Sequence, residues 1–167
     1  MAQPVWLRGP LEGVPPLLQP VAHALAQSNE DVQGVLPRLS EDQVWRRPGG
    51  AASIGFHATH ALGSLDRLFT YARGESLSEA QLEALSLEKS VDRTAGSATE
   101  LATNFATGIE RALRQLRATR ESDLLVPREV GRGKLPSTVI GLLFHAAEHT
   151  ASHVAQIVTT AKIIQGS

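Results

Sequence analysis

Apolar residues recur at helical spacing in four long stretches, and proline- and glycine-rich connectors separate them. From Val21 the positions Val21, Leu25, Val32, Val35, Leu36 and Leu39 mark one helix face, which predicts a first helix over about 16–38. Proline fits the first turn of a helix, so Pro15 and Pro16 can open it, whereas Pro20 moves the regular part later. The connector SEDQVWRRPGGAAS follows. Ser53 is placed to cap a second helix running to Ala72, with Gly74 just beyond as a left-handed stop. Its apolar residues Ile54, Phe56, Leu62, Leu65, Leu68 and Phe69 cover one broad face.

Residues 75–95 are polar, with a short helix predicted in SEAQLEALSLE. Ser97 with Glu100 fits a capping box, and Leu101, Phe105, Ile109, Leu113 and Leu116 carry a third helix to about Ala118. Pro127, Gly131, Gly133 and Pro136 make 119–136 read as a loop, after which Ser137 caps a last helix over about 138–164. The expected fold is all-α: a single domain, 1–167, built as a four-helix bundle with long crossover connections. Periodicity does not supply the order in which the helices neighbour one another.

Composition narrows the chemistry. The chain has no cysteine, which excludes protein thiolate nucleophiles, zinc–thiolate sites, iron–sulfur clusters and disulfides. A net charge of -1 and a pI of 6.6 argue against nucleic acid as the main partner. Arg111, Arg114, Arg117 and Arg120 follow one helix at steps of three, most simply as a solvated face beside Glu110 and Glu121. No apolar run approaches the roughly 20 residues of a membrane span, and the proline-broken start does not resemble a signal peptide. A cytoplasmic protein with no membrane partner is expected.

Five of the six histidines fall in two of the predicted helices. His145, His149 and His153 succeed one another at steps of four, and each such step turns only about 40° around a helix. Side chains so spaced can share one ion. The second helix carries His57 and His60, and either can add a third nitrogen if the two helices are neighbours. Three neutral imidazoles leave an open coordination position for water or substrate, as in catalytic zinc sites. Nickel, iron or cobalt would also suit three nitrogens. Spacing does not choose three ligands from the five, and His23 stands apart as an ordinary histidine.

The segments SIGFHATHALGSLDRLFTYARG and LPSTVIGLLFHAAEHTASHVAQI resemble the DinB-like (DinB/YfiT-like) superfamily of metal-binding helical bundles. In that family one ligand follows a Ser-Ile-Gly-like helix start, and two lie in a His-x-x-x-His-x-x-Gln pattern on the last helix. The resemblance therefore implies a histidine triad site of His60, His149 and His153, with Gln156 as the trailing glutamine. His57 would then stand behind the ligands, line a pocket or join the core, and His145 would lie toward one end of the site. Glu148 and Gln156 are candidates for orienting ligands or holding bound water. Val154 and Ala155 stand where many relatives have Arg-Gly, which puts any arginine-based anion or partner recognition in doubt.

The resemblance further implies a divalent ion, zinc or nickel foremost, with iron, cobalt or manganese as other occupants. It implies an enzyme of the thiol-dependent S-transferase or hydrolase type, working with a low-molecular-weight thiol (bacillithiol, mycothiol or glutathione) and a small-molecule substrate, in a homodimer. The alternative is a non-catalytic metal-binding bundle serving stress response or interaction.

Overall fold

The computed structural model of the protein describes residues 3–88 and 96–166. Four long helices form the bundle: α1 (Gln19–Val35), α3 (Ile54–Ala72), α5 (Ala98–Ala118) and α6 (Val139–Gln165). Two shorter ones, α2 (Glu41–Trp45) and α4 (Glu79–Leu87), lie in the connections. Helix α6 packs on both α3 and α1, and α5 packs on the same two, so neighbours run α1–α6–α3–α5 around the bundle. The connections α1→α3 and α5→α6 therefore cross between diagonal positions. Leu25, Val32, Ile54, Phe105, Ile109, Leu143 and Ile157 fill the centre.

The helix limits follow local chemistry. Pro16 opens a 3-10 turn over Pro16–Leu18, and Pro20 lies in the first turn of α1, where its missing N–H costs no helical bond. The Ser53 hydroxyl accepts from the Phe56 N–H at the start of α3, and Gly74 takes φ +79° just past its end. Capping boxes start α4 at Ser78 with Gln81 and α5 at Ser97 with Glu100.

Three expectations are corrected. The connector after α1 holds α2, whose capping box pairs Ser40 with Gln43 and whose Val44 and Trp45 are buried. The loop over 119–136 contains most of an antiparallel hairpin, β1 (Pro127–Val130) against β2 (Leu135–Thr138), with Pro127 opposite Thr138 and Val130 opposite Leu135. A turn at Gly131 (φ +67°) reverses the chain. Ser137 therefore belongs to a strand, and Thr138 caps α6 by accepting from the Gly141 N–H at 3.1 Å. Val139 and Ile140 donate to the carbonyls of Val126 and Leu124, fixing the entry of α6. The part of the 75–95 segment over 89–95 lies outside the described residues.

At Gly55 the Trp45 ring of α2 lies directly against α3. A β-carbon there would meet Cζ3 and Cη2 of the Trp45 ring at 2.5 Å. Alanine favours a helix over glycine by up to about 1 kcal/mol, but a buried indole has little room to retreat. Gly55→Ala is expected to lower stability by about 1–3 kcal/mol in denaturant titration. An unchanged or raised midpoint would contradict this packing.

Candidate metal centre

Packing of α3 on α6 brings histidines from both helices together at the rim of the core. Helix α3 buries Ala58, Ala61 and Leu65, and α6 buries Ala146, Ala147, Thr150 and Val154. Small residues on both faces let the backbones approach, so imidazoles beside those stripes can meet. His60, His149 and His153 are half-buried, and one ring nitrogen from each lies within 4.8 Å of the other two. Nε2 of His60 and Nε2 of His149 are 3.2 Å apart. Two nitrogens bound tetrahedrally at 2.0–2.1 Å would stand about 3.3 Å apart, so this spacing fits a shared ion. Among the described residues, His60, His149 and His153 form the group that could hold a metal ion.

Around the three lies a set of supporting contacts. The Nδ1–H of His60 donates to Oε2 of Glu88 at 2.8 Å. In the neutral ring this places the lone pair on Nε2, the atom facing His149. Glu88 is buried and also pairs with Arg67. Gly63 leaves room for that pair, since a β-carbon there would collide with the Glu88 carboxylate and the Arg67 guanidinium. Phe56 stacks on His60 with ring centres 5.5 Å apart and planes 6° from parallel. Nδ1 of His57 lies 2.8 Å from Nδ1 of His153, so His57 is a direct neighbour of the cluster.

The sequence-predicted residues thus divide. His60, His149 and His153 converge, and His57 stands behind His153. His145 is exposed and pairs with Glu148 through Nδ1 at 2.7 Å, while its ring centre lies 5.6 Å from that of His149. Glu148 is therefore engaged by His145 in place of a cluster histidine. Gln156 is exposed. His23 contacts the Gly9 carbonyl at 3.0 Å, far along the chain from the cluster. Glu88 was not foreseen from the sequence. The predicted helix SEAQLEALSLE ends on it, and no spacing ties it to His60.

The arginine row behaves as a solvated face: Arg111, Arg114, Arg117 and Arg120 are exposed, with Arg117 paired to Glu110 and Arg120 to Asp123. A groove of about 310 Å³ between α3 and α5, lined in part by Arg73, Arg111 and Arg114, includes none of the histidines.

A family model describing the DinB superfamily matches residues 6–157. The chain belongs to the DinB superfamily. Comparison with curated proteins finds no match. Among solved structures, this DinB-superfamily chain is similar to a conserved protein from Enterococcus faecalis. The TM-score is 0.73 at 16% identity, covering 90% of this chain and 98% of that one. At that identity the likeness shows the fold alone. Among the described residues no helix is long and apolar enough to cross a membrane.

Burial disfavours the protonated forms of His57, His149 and His153. It pushes His153 from the ordinary 6.5 down to about 4, with further lowering from His60, His149 and His57. His149 and His57 are lowered by burial first and by His60 next. In each case the unfolded chain takes up protons at a pH where the folded site does not. Stability of the metal-free protein should therefore fall as pH drops from about 6.5 toward 4. Urea titrations in chelator at pH 7 and pH 5 should show a falling midpoint, and a smaller fall in His153→Gln. Equal midpoints at both pH values in the wild type would contradict this account.

Proposed function

We propose that this DinB-superfamily protein binds one divalent cation through His60, His149 and His153 and acts as a metal-dependent enzyme of the thiol-dependent S-transferase or hydrolase type. The observation that carries the proposal is the convergence of three imidazole nitrogens from two helices within 4.8 Å. All-nitrogen ligation suits zinc or nickel, with iron, cobalt or manganese as other occupants. A bound cation would supply Lewis acidity, lowering the pKa of a water or thiol in the remaining position.

The chain's own residues hold and orient. Glu88 fixes the ring of His60 through Nδ1, and Phe56 covers one face of that ring. His57 supports His153 from behind. The half-buried rings leave the site open toward solvent, as access by a small thiol requires. In the transferase reaction the thiol sulfur forms the new bond to an electrophilic carbon. The leaving group departs with the bonding pair, and the thiol proton passes to solvent. The absence of cysteine means that no protein thiol competes with the external one.

Elemental analysis should find about one zinc or nickel ion per chain, and His149→Ala should reduce this to near zero. Loaded protein should transfer bacillithiol, mycothiol or glutathione to an electrophile, or hydrolyse a small substrate, and His60→Ala should abolish turnover. Metal binding without turnover in any such assay would favour the non-catalytic metal-binding bundle. No metal at all would refute both.

A further inference from the structure

Helix α4 is attached to the bundle in an unusual way. None of its residues over Glu79–Leu87 is buried, and Leu82, Leu85 and Leu87 are exposed. Polar contacts tie both of its ends to α3. At one end, the Gln81 amide donates to Asp66 Oδ2 at 2.6 Å and to Thr70 Oγ1 at 2.8 Å. At the other, Glu88 follows directly on the helix and is the buried anchor. One of its oxygens meets Arg67 and the other meets His60, in the space that Gly63 leaves open. The residue that secures α4 is thus the residue that orients a candidate ligand.

We propose that Glu88 is the positioning residue for metal ligand His60, and that metal binding and the docking of α4 reinforce one another through this contact. The inference rests on the proposed metal site and deepens it by assigning its regulation. A cation held by His60 would draw electron density from the imidazole and make its Nδ1–H a stronger donor to the Glu88 carboxylate. The carboxylate in turn raises the basicity of Nε2 and holds the ring in its ligating orientation. Linkage makes the effect reciprocal: whatever metal adds to α4 docking, α4 docking adds to metal affinity. Gly63 and Arg67 keep the carboxylate at this point of α3 and so define where α4 can latch.

The test uses Zn²⁺ alone on the full chain. Affinity is measured by competition against a chromophoric chelator, and hydrogen exchange of residues 79–87 is followed with and without Zn²⁺. In the wild type, Zn²⁺ should slow exchange in this segment. Glu88→Ala and Glu88→Gln should bind Zn²⁺ about 10–100-fold more weakly, and Zn²⁺ should no longer slow that exchange. Both should keep the helical circular dichroism of the wild type in chelator. Should Glu88→Ala fail to fold because Arg67 is left unpaired, Glu88→Gln and the wild-type exchange data decide. Unchanged Zn²⁺ affinity in the folded Glu88 variants, with His149→Ala as a non-binding control, would overturn the inference and leave the metal site standing. So would exchange in 79–87 that ignores Zn²⁺ in the wild type. Failure of the wild type to bind Zn²⁺ would overturn the site and the inference together.

Discussion

The seating of α3 against α6 is the contact on which the rest of the structure depends. Neither helix could assemble the site alone: α6 supplies His149 and His153, and α3 supplies His60. The small buried residues Ala58 and Ala61 on one helix and Ala146, Ala147 and Thr150 on the other allow a close approach. At that separation the imidazoles reach across the seam without leaving their own helices. The same burial desolvates the rings of His149 and His153, which disfavours their protonated forms. Packing and ligand chemistry are here one physical fact.

A second layer of polar contacts surrounds that seam and specifies it. Burying a carboxylate is costly unless it is paired and hydrogen-bonded, and Glu88 meets both conditions through Arg67 and His60. A side chain at position 63 would force the Glu88–Arg67 pair to shift, because its β-carbon would occupy the carboxylate's place. The hairpin plays a corresponding part at the other connection. By tying Val139 and Ile140 to Val126 and Leu124, it sets where α6 begins and so supports the placement of its histidines.

Much of this was legible in the sequence because it is local. Apolar periodicity and the caps at Ser53 and Ser97 marked α3 and α5 close to their observed limits, and the segment SEAQLEALSLE marked α4. The hairpin was hidden because Pro127, Gly131, Gly133 and Pro136 read as chain breakers, and its short strands lack a strong alternation. Helix α2 spans Glu41–Trp45, too few residues to show a period. Phe56 counted as a core residue by spacing, yet it stacks on His60. The neighbour order of the helices, the contact of His57 with His153, and the role of Glu88 are long-range facts. Each depends on which faces meet, and one-dimensional spacing does not carry that information.

X-ray absorption at the metal edge of the zinc-loaded protein tests the central claim most directly. Three imidazole nitrogens at 2.0–2.1 Å with one outside ligand are expected, and substitution of any one of His60, His149 or His153 should abolish this three-imidazole shell, in His149→Ala by loss of the metal itself. A first shell made of oxygens, or one that keeps three imidazoles after those substitutions, would contradict the account.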